Sequence, residues 1–123
     1  MSRVLVVEDD RALCELLEMM LAFEGYEVQS ATTASEALVL AAQRQPALIL
    51  FDMRLSHGSG EDFLTAYRGL PNASARLIAV SGIANLAEEA ARIGAHGFLR
   101  KPFELDALLG IVAGSLPVLE ETA

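Results

Sequence analysis

Apolar residues along the chain gather in short unbroken runs, separated by stretches in which they recur every three or four positions. Val4-Leu5-Val6-Val7 is an aliphatic, largely β-branched run that stops at Glu8-Asp9-Asp10, the pattern of a strand buried on both faces and ending at a polar edge. Leu13, Leu16, Leu17, Met20 and Leu21 follow at helical spacing, with Asp9 or Asp10 placed to cap the helix and Gly25 just past its last turn. The cycle repeats. Residues 26–31 suit a strand and 35–44 a helix, closed off by Pro46, which cannot continue it. Ala47-Leu48-Ile49-Leu50-Phe51 is a third strand ending at Asp52, and a loop with Ser56, Gly58, Ser59 and Gly60 leads to a helix over 61–68. A fourth strand over 76–80 ends at Ser81-Gly82, and a helix over 85–93 stops at Gly94. Gly97-Phe98-Leu99-Arg100 is a short fifth strand before Lys101-Pro102, and a last helix runs to about Leu116, ahead of Pro117.

Five strands alternating with five helices predict an α/β fold, a doubly wound parallel sheet with helices on both faces and right-handed crossovers. With 123 residues, 53% of them apolar, the chain makes one domain with material for a packed core. Nine Lys and Arg against 17 Asp and Glu give a formal charge of −8. That balance disfavours a grip on a nucleic-acid backbone or an anionic membrane surface. The lone Cys14 excludes an internal disulfide and a thiolate zinc cage. No apolar run approaches the roughly 20 residues of a membrane span, and the N-terminus lacks a secretory h-region, so a cytoplasmic location is expected.

In an open parallel α/β sheet, ligands bind beyond the carboxyl ends of the strands. Those ends deliver Glu8 and Asp9, Asp52, Ser81 and Lys101. Asp9 or Asp10 alone would pass for an ordinary helix cap. Three crowded carboxylates, however, repel by about 1–4 kcal/mol per pair and need compensation. A divalent cation together with the Lys101 ammonium balances them. An all-oxygen donor set favours Mg²⁺ over a transition metal. A carboxylate held against Mg²⁺ and a lysine is equipped to accept a phosphoryl group, with Asp52 as nucleophile, Lys101 neutralising phosphoryl oxygens and the Ser81 hydroxyl bonding another.

These residues, in this order, resemble the receiver domains of bacterial two-component response regulators, over residues 4 to about 116. The resemblance rests on Glu8-Asp9, Asp52, Ser81-Gly82 and Lys101-Pro102-Phe103. It implies a flavodoxin-like sheet in the order 2-1-3-4-5, a receiver domain over 1–118 and a short tail over 119–123. It implies Asp52 as the phosphorylated residue, fed by a sensor histidine kinase or a histidine phosphotransfer protein. Asp9, Asp52 and the main-chain carbonyl of Arg54 would be Mg²⁺ ligands, with Glu8 acting mostly through metal-bound water. Ser81 would be the switch hydroxyl, Phe98 a rotamer switch that is also partly buried, and Lys101-Pro102 a cis peptide. Output would pass to a downstream protein through the fourth helix, fifth strand and fifth helix; a weak homodimer is left open by the sequence. The implied role is a signalling phosphoacceptor that turns over no separate substrate, either standing alone, as Met1 favours, or cut from a hybrid kinase or multidomain regulator.

Some positions depart from the family's commonest pattern. Ser56 stands where a proline is usual, which predicts a more mobile loop. The interval from Ser81 to Phe98 is short, which predicts a trimmed fourth helix or leading loop. Arg54 and Ile83 are bulky at positions that tune access of water, which predicts a phosphoryl group that outlives seconds. A haloacid dehalogenase-type phosphatase would also form an aspartyl phosphate, but it needs a second aspartate where Arg54 stands. A flavodoxin would need a hydroxyl- and glycine-rich loop where Glu8-Asp9-Asp10 stands. His57 and His96 read as surface residues, Cys14 as a small buried side chain and Met19-Met20 as core filler. In the last helix Leu105, Leu108, Leu109, Val112 and Leu116 form the core stripe. Gly110 and Gly114 each cost about 1 kcal/mol there; they mark either a protein-contact surface or a weak helix held by packing.

Overall fold

The computed structural model describes residues 2–55 and 58–116. Ser56, His57, Pro117 and the proposed tail lie outside them. Five parallel strands, β1 (Arg3–Val7), β2 (Glu27–Ala31), β3 (Leu48–Asp52), β4 (Arg76–Ser81) and β5 (Gly97–Arg100), form one sheet in the order β2-β1-β3-β4-β5. The order reverses at β1 and β3, which pair directly from Val4↔Leu48 to Val7↔Phe51. The crevice between the ends of these two strands is therefore the topological switch point, where such sheets place their ligands.

Side-chain alternation along each strand builds two cores. Leu5, Val7, Ile49, Phe51, Leu77 and Ala79 face the layer of α2 (Ala34–Gln43), α3 (Gly60–Arg68) and α4 (Leu86–Arg92). Val4, Val6, Leu48, Leu50, Ile78 and Val80 face α1 (Arg11–Phe23) and α5 (Leu105–Ser115). Because both faces are covered, the central strands need apolar residues at every position, which is why they read as unbroken runs.

Helix ends follow local chemistry. Asp10 caps α1 by accepting from Leu13 N–H, Thr33 caps α2 and Ser59 caps α3. Gly25 and Gly94, just past α1 and α4, take φ of 95° and 76°, the left-handed region where glycine is not strained. At seven residues α4 is the shortest of the described helices, in line with the short interval between Ser81 and Phe98.

Three expectations about burial need correction. The core stripe of α1 is Cys14, Leu17 and Leu21, which leaves Leu16 and Met19 on the opposite face beside the exposed Phe23. In α5, Leu105 opens the first turn and is exposed, whereas Leu108 and Val112 are fully buried. Phe98 is 40% exposed and belongs to neither core, so it is no partly buried core aromatic in this conformation. Cys14 is buried as expected. A two-residue ribbon, Arg54–Leu55 paired antiparallel with Gly58–Ser59, follows β3 and was not foreseen.

Candidate functional site

Each acidic residue of the site arrives at the end of a strand. β1 runs straight into Glu8 and Asp9, and Glu8 N–H is anchored on the Ala31 carbonyl of β2 at 3.0 Å. β3 carries Asp52 as its last residue, at the end of a fully buried strand. One carboxylate oxygen each from Glu8, Asp9 and Asp52 lie within 4.8 Å of one another. Glu8 and Asp52 are buried and Asp9 is half-buried.

The ammonium of Lys101 reaches into this group. It donates to Asp52 Oδ2 at 2.8 Å and also to Glu8 Oε1. Its placement follows from β5, since Lys101 N–H bonds the Ser81 carbonyl at 2.8 Å and the Lys101–Pro102 peptide is cis, as the resemblance implied. The other Asp52 oxygen, Oδ1, accepts from Arg54 N–H at 2.9 Å. Asp52 is thus oriented by one backbone donor and one cation.

The electrostatics are unbalanced without a further positive charge. Burial first, and the facing Asp52 carboxylate second, push the Glu8 carboxyl up to about 7, against the pull of Lys101. Burial works against the charged form of Lys101, but its bonds to Asp52 and Glu8 outweigh this and raise it above the usual lysine value. Glu8 Oε2 is buried with no hydrogen-bond partner among the described atoms. An orphaned carboxylate oxygen within an all-oxygen donor set is what a hard cation such as Mg²⁺ would satisfy, so the residues fit that ion.

Ser81 ends β4 at the same rim and is buried, but its hydroxyl is turned to its own loop, accepting from Ile83 N–H at 3.2 Å. Phe98 stands outside the cluster, across from Ala79 in the β4–β5 register. A cleft of about 490 Å³ opens at the two residues that follow Asp52, lined by Met53, Arg54, Ile83, Asn85 and Arg92 among others. Both bulky residues expected to govern water access, Arg54 and Ile83, line it.

One residue of the site was missed in the sequence. A Cβ on Gly60 would lie 2.3 Å from the Asp52 carbonyl oxygen and 2.8 Å from Met53 Cα, so the backbone leaving Asp52 packs where any side chain would sit. Gly60 N–H bonds the Met53 carbonyl at 3.0 Å, closing the turn. The residue had read as ordinary turn chemistry, and the close approach is set by tertiary contact with no local signal.

The family model for the response regulator receiver domain matches residues 4–113. The chain belongs to that family. FleR, a response regulator protein of Pseudomonas aeruginosa, is 38% identical over 98% of this receiver and 26% of its own length. The acid tolerance regulatory protein ActR of Rhizobium meliloti is 34% identical over 86% of this receiver and 55% of its own length. This receiver therefore spans about a quarter to about half of these curated relatives. Among solved structures, a CheY-like receiver domain from Methanospirillum hungatei superposes with a TM-score of 0.86 at 31% identity, covering 100% of this chain and 99% of that one. The receiver domain of the P. aeruginosa sensor histidine kinase PA1611, solved with a magnesium ion in its active-site cleft, gives 0.83 at 26% identity, covering 93% of this chain and 96% of that one. Among the described residues, no helix is long and apolar enough to cross a membrane.

Proposed function

We propose that this receiver is a phosphoacceptor of two-component signalling and that Asp52 carries the phosphoryl group. The observation that supports the reading most is the meeting of the Glu8, Asp9 and Asp52 carboxylates with the Lys101 ammonium at the switch point of the sheet. In the transfer, an Asp52 oxygen forms a bond to phosphorus as the bond to the donor histidine nitrogen breaks, and the imidazole leaves with that electron pair. Arg54 N–H holds the carboxylate in place, and Lys101 neutralises charge on the phosphoryl oxygens. Asp9, Asp52 and the Arg54 carbonyl would hold Mg²⁺, with Glu8 acting through bound water. The ion would supply the remaining positive charge against the carboxylates and the phosphoryl oxygens.

Phosphorylation gives Ser81 a new partner, and Phe98 turns inward behind it. The altered surface is that of α4, β5 and α5, where Phe98 is exposed in the present conformation. The donor is a sensor histidine kinase or a histidine phosphotransfer protein, and the recipient of the signal is a protein rather than a nucleic acid. The receiver domain covers 1–118, acts in the cytoplasm, and catalyses only its own phosphorylation and hydrolysis. Arg54 and Ile83 at the cleft keep the phosphoryl group for longer than seconds.

The test is incubation with acetyl phosphate and Mg²⁺, followed by intact-mass measurement. The wild type gains one phosphoryl group in a Mg²⁺-dependent manner and Asp52→Asn gains none. No gain in the wild type, or an equal gain in Asp52→Asn, would overturn the assignment.

A further inference from the structure

Two restraints hold the chain as it leaves β4. Ser81 Oγ accepts from Ile83 N–H at 3.2 Å, while Arg100 Nη1 donates to the Ile83 carbonyl at 2.6 Å and lies 3.5 Å from that of Ala84. Arg100 is exposed and adjoins Lys101, so consecutive residues serve two tasks, one in the acidic pocket and one over the β4–α4 loop. A guanidinium bond to a carbonyl is charge-assisted, and the planar fork fixes its direction.

The far end of α4 is tied down separately. Arg92 bonds Glu61 of α3 through two nitrogens, at 3.1 and 2.8 Å. Arg68 of α3 donates to the Ile93 and Gly94 carbonyls at 2.8 and 2.9 Å. By contrast, Asn85 at the start of α4 makes no side-chain cap bond. A displacement of Ile83 is therefore absorbed within segment 82–85 and the first turn of α4, and among the described residues the side chains that resist it are those of Ser81 and, from β5, Arg100.

We propose that Arg100 is a positioning residue that holds segment 81–85 in its unphosphorylated conformation and so sets how readily the receiver switches. The proposal rests on the phosphoacceptor reading: when Ser81 Oγ turns to a phosphoryl oxygen it gives up Ile83 N–H, and the segment cannot follow without leaving Arg100. A bond present in one of two states biases their equilibrium by its own free energy. Removing it moves the balance about fivefold toward the switched state, and a phosphoryl analogue binds tighter by the same factor.

The experiment titrates beryllofluoride with Mg²⁺ into the wild type, Arg100→Ala and Arg100→Lys. It also records the Ile83 and Ala84 amide NMR signals of each protein with neither additive present. Arg100→Ala is expected to bind about fivefold tighter, with its additive-free Ile83 signal displaced toward the bound position. Arg100→Lys falls between the two, and the additive-free folding constant of Arg100→Ala in urea drops by no more than the same factor of about five. Equal or weaker binding by Arg100→Ala, or an Ile83 signal that does not move, would overturn the proposal while leaving the phosphoacceptor reading intact. Failure of the wild type itself to bind beryllofluoride would overturn both.

Discussion

Replacing Lys101 with methionine removes the ammonium and keeps most of the stem, so its effect isolates the charge. The ammonium lies 2.8 Å from Asp52 Oδ2 and bonds Glu8; the Lys101 side chain is 27% exposed and those of Asp52 and Glu8 are 9% and 4% exposed. At an effective dielectric of about 20, opposite unit charges about 4 Å apart attract by about 4 kcal/mol. Removing one partner of a buried pair costs about 3–5 kcal/mol, because the other charge stays behind unpaired. Lys101 is partly solvated, which lowers the expected loss to about 2–3 kcal/mol, a fall in Tm of about 10 °C for a domain of this size. The assay is urea unfolding followed by circular dichroism at pH 7.5 with EDTA, so that no cation substitutes for the lysine. Adding Asp52→Asn to Lys101→Met should recover at least half of the loss, since it removes one of the stranded carboxylates, and the double-mutant cycle reports the coupling. A loss under about 0.5 kcal/mol, or a double variant no more stable than the single, would refute the view that the carboxylates are crowded enough to need Lys101.

Further outcomes follow from the same geometry. Gly60→Ala forces a Cβ against the Asp52 carbonyl oxygen and should cost about 2–3 kcal/mol and slow phosphorylation by acetyl phosphate; wild-type values in both assays would contradict the packing described. Burial pushes the Cys14 thiol up to about 11, so labelling by a thiol reagent at pH 8 should be slow and track unfolding in urea, whereas rapid labelling of the native protein would contradict its burial. His96 Nδ1 accepts from Leu77 N–H at 2.9 Å, and burial, with Arg76 and Arg68 nearby, lowers its affinity for protons. At His96 the native state thus binds fewer protons than the unfolded one below the ordinary histidine value of about 6.5, and the His96 contribution to stability falls as pH drops through and below it, by about 1 kcal/mol or less for so exposed a ring and against the opposite contribution of the raised Glu8 carboxyl. His96→Ala should flatten that part of the profile; an unchanged slope between pH 7.5 and 5.5 would remove His96 as its source.

Much of the fold was legible because parallel strands covered on both faces must be apolar at successive positions. Runs such as Leu48 to Phe51 admit few other readings, and the acids that end them mark the rim of the sheet. The gathering of Glu8, Asp9, Asp52 and Lys101 was legible for the same reason, since topology alone brings strand ends together. What escaped was decided by tertiary contact. The ribbon at Arg54–Leu55 has only two residues per strand, too few for any periodicity. Leu16 and Met19 fit a helical stripe by spacing, and only the packing of α1 shows that Cys14, Leu17 and Leu21 occupy the core side. His96 looked like a surface residue and is one, yet its ring nitrogen completes a backbone pairing with Leu77 that no spacing rule reveals. The roles of Arg68, Arg92 and Arg100 also escaped, because long side chains that bond distant carbonyls and carboxylates leave no local pattern.

Chemical localisation of the phosphoryl group tests whether Asp52 is the acceptor. Protein phosphorylated by acetyl phosphate with Mg²⁺ is treated with borohydride, which reduces an aspartyl phosphate to homoserine, then digested and sequenced by mass spectrometry. Homoserine is expected at position 52, abolished when Mg²⁺ is withheld; reduction at a different carboxylate, or a phosphoryl group that survives the treatment on a histidine or hydroxyl, would rule out Asp52 as the acceptor.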